Sequence, residues 1–501
     1  MNPLIMVDLT LFLLTWNVKD TGPDNGYGDL LNYAFSSSNG TKEPDLIAIG
    51  LQEVSFKILG PEPWVTRTKE ILAERDYVMV KKNQLVGILL MVLVKRQSLL
   101  DFTNIKTDYT RTGLGGLWGN KGAVSTRFDH KGVSIVITNS HLAAHDYNLE
   151  TRITEFKKIY GGQSFEIKNP DYRTMSIGDH DLSLWLGDLN FRLDDLTGQE
   201  ILQKIVTADL TKDSNERKNL LTELLDHDQL SNSMRLGKVF VGYTEDPINF
   251  SPTYKFVAWS NEYDLGRKPA WCDRILYKDK GSINLETNNY RSHPDFSQSD
   301  HKPVSNFFSL NLPKRLKREI SPSKIKFIIP TDWKIHHDSS AFYTFDTPEI
   351  NSRQMHSSQH ENTPDRELNL QTGINRRRRS ASRDKTTKLS EFDWIGLYPA
   401  NFTDIEEPIT FVWANPESIP KQNTSTIRQE RSTLSASFDP MASTSSTDSS
   451  DSVRGPSSSS APIFRVDFSE LVLLKPGQFR LLYFNEDGQL LAISDPFSIH
   501  R

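Results

Sequence analysis

The chain is expected to fold as an α/β sandwich over about its first 310 residues, followed by a small all-β domain. Three observations predict this. Apolar runs rich in Val, Ile and Leu recur at LTLFLLTW, DLIAIGLQ, LVGILLMVLV, GVSIVITNSHL and LSLWLGDLN, each bounded by Gly, Pro, Asn or Asp. Several are apolar throughout, as strands buried on both faces are, so helices should cover the sheets. Helical periodicity supplies them at Thr66–Arg75, Glu150–Tyr160 and Gln199–Leu225. Beyond Pro313 only short strand-like runs remain.

A length of 501 residues implies two or three domains. The net charge of -5 argues against a general nucleic-acid binder. The charge is uneven: Lys+Arg against Asp+Glu is 35 to 40 over residues 1–310, 16 to 9 over 311–390, and 8 to 15 thereafter. A single cysteine, Cys272, excludes an internal disulfide and fits a reducing compartment. Residues 4–14, LIMVDLTLFLL, lack a preceding Lys or Arg and are interrupted by Asp8, so they read as a buried first strand rather than a secretory segment. There is no apolar run of about 18 residues, and the closing SIHR carries no prenylation motif. The expectation is a soluble, cytoplasmic protein.

Polar residues stand where the strands end. The first run leads to Asn17, the second to Gln52 and Glu53, and the fourth to Asn139, Ser140, His141 and later His145. The fifth gives Asp188 and Asn190. Ring-bearing and basic residues then cluster from Phe250 to Ile275, and the domain closes with Ser299, Asp300 and His301. Together these would line one cleft.

After Pro313, Lys314, Arg315, Lys317 and Arg318 form a basic linker (311–323), and IKFIIPTDWKI resumes a strand pattern. A polar stretch at 347–390 includes Arg376–Arg379 before Ser380 and Ser382. A second spans 420–461, where thirteen of the thirty residues from Ser432 to Ala461 are Ser. Both read as disordered insertions. The strand patterns FDWIGLYPANF, PITFVWA, IFRVDFSEL, FRLLYFN and LLAISDPFSI around them predict one all-β domain over 324–501.

The chemistry is concentrated in WLGDLNFRL, Trp185–Leu193. In an extended segment alternate side chains point the same way, so Asp188 and Asn190 project together from a strand end. The carboxylate can take a proton from water while the amide fixes its direction. One acidic ligand beside an amide suits a hard cation that keeps several waters, which describes Mg2+, with Glu53 as carboxylate ligand and Asn17 beside it. Zinc would want Cys or His at recognisable spacings, which His141 and His145 lack. His141, Lys121 and His301 can bind phosphate oxygens, and Asp273 can orient His301. A cysteine phosphatase is disfavoured, since Lys278 stands six residues after Cys272 where an Arg is needed.

TWNV (15–18), LQEV (51–54), TGLGGLWGNKGAV (112–124), NSHLAAH (139–145), WLGDLNFRL (185–193), PTYKF (252–256), RKPAWCDRIL (267–276) and SDHKPV (299–304) together resemble the inositol polyphosphate 5-phosphatase family over about residues 8–310. The resemblance implies a DNase I-like two-sheet sandwich flanked by helices, Mg2+ as cofactor, and removal of the 5-phosphate from inositol lipids or soluble inositol phosphates. By motif, Asn17 and Glu53 would hold Mg2+, Asp188 would activate water and Asn190 position it. His301, oriented by Asp273, would contact the scissile phosphate, with Asp300 supporting the metal or water network and His141 as a further phosphate ligand. Asn120 and Lys121 would bind substrate, and Tyr254, Lys255 and Arg267 match contacts to the neighbouring 4-phosphate. Leu265 stands where some relatives have lysine, a place that Lys268 would compensate.

The C-terminal patterns are similar to the SKICH domain. In the SKICH-bearing 5-phosphatases that domain serves localisation at the plasma membrane or endoplasmic reticulum, which implies protein partners. Phosphoinositide head groups imply peripheral membrane contact, for which Leu114, Leu117 and Trp118 in a Gly-rich loop ending at Lys121 are candidates. The basic linker would add about 1 kcal/mol per residue near an anionic leaflet. Phosphorylation at Ser380 or Ser382 would weaken that attraction. The favoured function is Mg2+-dependent hydrolysis of phosphatidylinositol 4,5-bisphosphate and 3,4,5-trisphosphate, with no nucleic-acid partner. Two alternatives stand beside it: a nuclease on the same fold, and a SKICH-based scaffold.

Overall fold

The computed structural model describes residues 8–35, 43–55, 60–113, 116, 118–167, 172–281, 283–311, 325–329, 333–345, 389–414, 463–469 and 475–501. The chain clusters into two compact units. One comprises Met1–Ser321 with Leu397–Thr410 and Gly488–Leu490; the other comprises Pro322–Gly396, Phe411–Asp487 and Leu491–Arg501.

In the first unit the strands run β1 (Leu9–Asn17), β2 (Leu46–Gln52), β3 (Tyr77–Leu85), β4 (Ile88–Lys95), β5 (Phe102–Gly113), β6 (Trp118–His130) and β7 (Val133–His141). They continue as β8 (Ser164–Ile167), β9 (Arg173–Ser176), β10 (Leu182–Asp188), β11 (Thr244–Glu245), β12 (Asp273–Asp279), β13 (Asn284–Ser292) and β14 (Val304–Asn311). Two six-stranded sheets result, ordered β13-β14-β1-β2-β4-β3 and β11-β12-β10-β7-β6-β5. Each has one parallel pair at its centre, β1 with β2 and β10 with β7. The DNase I-like two-sheet α/β sandwich expected from the sequence is therefore the observed one.

The apolar runs become central strands because both faces are covered. All nine residues of β1 and all seven of β2 and β10 are buried. On the outer face of the first sheet, Phe12, Leu14 and Ile49 pack with residues of α1 (Tyr27–Asn32) and α2 (Pro63–Ala73). On the outer face of the second, Val136 and Trp185 pack with α3 (Leu149–Gly162) and with Leu230. At about 25 cal/mol per Å² of apolar surface, each such layer favours folding, and further buried residues of the same strands, among them Leu11, Leu13, Ile137 and Leu186, add to them. Between the sheets the approach is close at Gly50, where a Cβ would lie 2.8 Å from both Asn139 Cγ and Leu186 Cδ1.

Two sequence expectations differ from the structure. LVGILLMVLV is not one strand: Val86, with φ 51°, and Gly87 form the turn between β3 and β4. The periodic stretch Gln199–Leu225 is two helices, α4 (Gly198–Leu210) and α5 (Ser214–Leu225), followed by α6 (Gln229–Arg235). Asp213 is the reason. Its side chain accepts from the amides of Asn215 and Glu216, starting a new helix instead of prolonging the old one.

The C-terminal strands are β15 (Ile325–Ile328), β16 (Ser339–Phe345), β17 (Trp394–Pro399), β18 (Thr410–Trp413), β19 (Ile463–Phe468), β20 (Gly477–Phe484), β21 (Leu490–Ile493) and β22 (Phe497–Ile499). They form a three-stranded sheet, β15-β16-β19, and a sheet ordered β18-β17-β20-β21 with β22 on β20, as the strand-rich pattern predicts. Residues 312–323 of the linker and 347–388 and 420–461 of the two insertions lie outside the described residues, as do Leu114, Leu117 and the side chain of Trp118.

Candidate active site

Strand register brings the expected groups to one level. Asp188, the last residue of β10, is paired across β7 with His141 and across β12 with Asp273. Residues directly opposite in a sheet share a face, so a carboxylate, an imidazole and a second carboxylate stand side by side at the carboxyl ends of the parallel pair. β1 of the other sheet ends at the same place with Asn17. The sharp exit needs Gly187: its φ is 143°, and a Cβ there would lie 2.0 Å from Ser140 O. Asn190, with φ 56°, turns the chain immediately after.

Asp188 Oδ2 is the focus. Asn17 Nδ2 donates to it at 3.0 Å, His141 Nε2 lies 3.2 Å away, and His301 Nε2 is 3.8 Å away. Asp188 Oδ1 accepts from the Asn190 amide at 3.1 Å. The other ring nitrogen of His301, Nδ1, donates to Asp273 Oδ2 at 2.9 Å, and Thr253 Oγ1 donates to the same oxygen at 2.7 Å. The His301 carbonyl accepts from Trp16 Nε1 at 3.0 Å, which fixes its backbone.

Asn190 is held at both ends. Its Nδ2 donates to Leu142 O at 3.1 Å, and Arg192 Nη2 donates to its Oδ1. One amide hydrogen and one lone pair remain for a ligand. Arg192 itself is 2% exposed and lies over the Tyr254 ring, 4.3 Å from its centroid. Tyr254 in turn packs on His301 with ring centroids 4.5 Å apart. The sequence reading did not single out Arg192. Strand alternation could not have pointed to it, because β10 ends at Asp188 and Asn190, with φ 56°, breaks the extended pattern expected from the spacing of Asp188 and Asn190.

Charge is shared out by environment. Burial works against ionisation of Asp188, but the neighbouring His301 charge overrides it and holds the carboxyl well below its usual range. Burial also disfavours charge on His301, and there Asp273 and Asp188 prevail, pushing it up to about 9. His301 is thus an imidazolium at neutral pH. His141 moves the other way, lowered by burial and then by Lys121. Lys121 is lowered by burial against the pull of Asp188 and Glu53. These two side chains are hydrogen-bond partners through Nζ and Nε2. Lys121 is not in a loop, as the Gly-rich motif suggests, but on β6.

The remaining expected residues spread outward. Glu53 has φ 55°, a side chain 46% exposed, and its Oε1 3.7 Å from His141 Nε2. Asp300 pairs with Lys19 at 3.2 Å, a partner the sequence reading omitted. Lys255 pairs with Asp264 at 2.8 Å. Arg267 and Asn120 are exposed, and Lys268 is partly buried near Gly198 at the start of α4.

Two groupings bear on a metal. Ligand atoms of Asp188, Asp273 and His301 lie within 4.8 Å of one another. Asp273 Oδ2 and His301 Nδ1 are spent on each other, however, and Thr253 takes the same oxygen. The Glu53 carboxylate and Asn17 Oδ1 suit a hard divalent cation better. Glu53 is half open to solvent, and Asn17 Oδ1 accepts a hydrogen bond from Lys19 N at 3.0 Å, which leaves it a further lone pair. The donor set fits a divalent cation.

Comparison with known proteins accords with this geometry. Residues 14–307 match a family model described as endonuclease/exonuclease/phosphatase family 2, and residues 381–447 match the SKICH domain. Inositol polyphosphate 5-phosphatase K of Mus musculus is 31% identical over 436 residues, covering 82% of this chain and 80% of that protein. Phosphatidylinositol 4,5-bisphosphate 5-phosphatase A of Mus musculus is 30% identical over 430 residues, covering 81% of this chain but only 37% of that protein. The inositol polyphosphate 5-phosphatase domain of SPsynaptojanin, solved with inositol (1,4)-bisphosphate and calcium ion, is 30% identical with a TM-score of 0.51, over 62% of this chain and 87% of that one. Fold, site and similarity converge: the chain belongs to the endonuclease/exonuclease/phosphatase family, within its inositol polyphosphate 5-phosphatases that carry a SKICH domain.

Proposed function

We propose that the chain hydrolyses the 5-phosphate of phosphatidylinositol 4,5-bisphosphate and 3,4,5-trisphosphate, and of soluble inositol polyphosphates, with Mg2+ as the ion at Glu53 and Asn17. The observation that carries this is the convergence of Asn17, His141 and His301 on one oxygen of Asp188. A bound Mg2+ would neutralise phosphate charge and lower the pKa of a coordinated water.

The chain's own groups supply the rest. Asp188 accepts a hydrogen bond from the attacking water and fixes it in line, while Asn190 presents its remaining hydrogen or lone pair to that water. Lys121 and His141 meet the equatorial oxygens of the phosphate. The His301 imidazolium, held by Asp273, stabilises the charge that develops on the phosphoryl group and gives its Nε2 proton to the inositol 5-oxygen as that oxygen's bond to phosphorus breaks, while the proton of the attacking water passes to Asp188. Tyr254, Lys255 and Arg267 bind the adjacent 4-phosphate, with Asn120 and Lys268 as further contacts and Asp300 acting through Lys19.

The lipid substrates imply peripheral membrane contact, and the SKICH domain is the proposed site for protein partners that keep a cytoplasmic enzyme at the plasma membrane or endoplasmic reticulum. The deciding experiment measures phosphate release from both short-chain lipids and from inositol 1,4,5-trisphosphate, in Mg2+ and in EDTA, beside an apurinic DNA duplex. Metal-dependent phosphate release with intact DNA is expected. Nicked DNA without phosphate release would replace the phosphatase by a nuclease, and silence on all substrates would leave a scaffold.

A further inference from the structure

Trp259 is 67% exposed, and two other apolar side chains nearby in sequence, Val257 and Leu265, are 47% and 41% exposed. The segment that carries Trp259 is nevertheless firmly built. Val257 N donates to Glu262 O at 2.8 Å, Ser260 N to Val257 O at 3.0 Å, and Asp264 N to Lys255 O at 2.8 Å. Trp259 N donates to Ser297 O, and Trp259 takes a φ of 65°, unusual for a bulky residue. Phe256 and Tyr263 stack across the hairpin with centroids 4.2 Å apart. Beneath them Lys302, 2% exposed, donates to Asn261 Oδ1 at 2.5 Å and to Ser260 O at 3.3 Å, with its ammonium 4.6 Å from the Phe256 centroid. The indole is held out in solvent by a rigid base.

That base is the wall of the active site. Tyr254, whose ring packs on His301, precedes the hairpin, and Lys302 follows His301 directly. Trp259 is five residues from Tyr254, at most about 17 Å of chain. A substrate anchored in a bilayer lifts its reacting phosphate only a short way above the surface, so whatever rims the mouth meets the headgroup layer. Indole rings favour that layer, being apolar with one polar N–H. The charges beside the hairpin are mixed: Lys255 pairs with Asp264, Lys268 acts on Glu200 and Lys302 is drawn by Asp295, so the exposed indole rather than net charge is what meets the headgroup layer.

We propose that the hairpin Phe256–Tyr263 is a membrane-docking element whose Trp259 enters the headgroup region of an anionic bilayer and seats the catalytic mouth on its lipid substrate; this rests on the lipid phosphatase reading above.

The test uses the full chain with Trp259→Asn, which removes the indole but tolerates the left-handed backbone, and Trp259→Phe as the conservative variant. Vesicles of phosphatidylcholine, phosphatidylserine and phosphatidylinositol 4,5-bisphosphate are sedimented with protein in EDTA, and turnover is then measured in Mg2+ on the same vesicles and on inositol 1,4,5-trisphosphate. Trp259→Asn should lose about tenfold or more in vesicle binding and in lipid turnover, with hydrolysis of the soluble substrate unchanged and Trp259→Phe intermediate. Unchanged vesicle binding, or an equal loss on both substrates, would overturn the proposal. Sedimentation does not depend on turnover, so a wild-type chain that hydrolysed neither substrate would refute the phosphatase reading while the binding difference still decided the docking.

Discussion

Asn17 and Asp188 come from different sheets and meet in a 3.0 Å hydrogen bond from Nδ2 to Oδ2. The amide therefore does two jobs: it aims the carboxylate and leaves Oδ1 for a cation. Removing it should separate from removing the carboxylate. Asn17→Ala is expected to raise the Mg2+ concentration needed for half-maximal rate by about 10–100-fold, as loss of a group that orients or supports a metal commonly does. Asp188→Asn should lower turnover by at least about 10³-fold at any metal concentration. A metal titration of both variants, with circular dichroism to check folding, tells them apart; full rescue of Asp188→Asn by Mg2+ would refute its role with water.

Asp273 carries no exposed surface and reaches substrate only through His301. Its charge is the chief reason His301 is lifted to about 9 against the effect of burial. Since His301 acts here as the cation, activity should fall as pH rises through that value. Asp273→Asn keeps the shape but removes the charge, so the alkaline limb of the rate profile should move toward neutrality by about a unit or more, a shift worth about 1.4 kcal/mol per unit. An unmoved limb would show that another group titrates there.

How much of this was legible in the sequence depends on range. β1, β2, β7 and β10 were legible because strands buried on both faces read as unbroken apolar runs, and their polar ends named Asn17, His141 and Asp188. β5 and β13 were not, since their exposed faces alternate and carry Lys, Asp, Asn and Arg. The roles of Arg192 and Lys19 depend on Tyr254 and Asp300, far away in sequence. No local pattern encodes such a contact. Arg192→Lys tests that part of the site. A lysine cannot both reach Asn190 Oδ1 and lie flat on Tyr254, so turnover should drop about tenfold or more, with the loss in kcat rather than in folding.

Lys121 and His141 are in hydrogen-bond contact, and each is lowered by burial. Two adjacent cations would repel, so one of the pair is neutral until an anion arrives. Binding an oxyanion there should then draw a proton from solution. Sulfate is a suitable probe because it has no proton to give near neutral pH. Calorimetric titration with sulfate at pH 7.5, in two buffers of different ionisation enthalpy, should report net proton uptake, and His141→Asn should remove it. Identical heats in both buffers would mean the pair is already in its final charge state.

Three buried histidines away from this cluster should make the phosphatase unit sensitive to acid. His130 and His180 are lowered to about 4, and His293 to about 3, in each case chiefly by burial. His180 shows the cost of protonation directly: its Nδ1 donates to Ser176 O at 2.9 Å, while its Nε2 accepts from Arg127 Nε at 3.3 Å, a bond that an imidazolium would destroy. In the unfolded chain these rings take up protons below about 6.5, whereas the native state resists until pH 4 or 3. The unfolded state thus binds more protons in that window, and stability falls as pH falls through it, by up to about 1.4 kcal/mol per pH unit for each ring. Above 6.5 these three rings contribute no slope, whereas His301, raised to about 9, adds stability as pH falls from 9 to 6.5. Urea midpoints measured between pH 7.5 and 4.5 should decline steadily below 6.5, and His293→Gln, whose amide can still reach Ser305 Oγ, should flatten the decline by the share of one proton. A midpoint that holds constant down to pH 4.5 would mean that these rings are solvated enough to titrate in the folded protein.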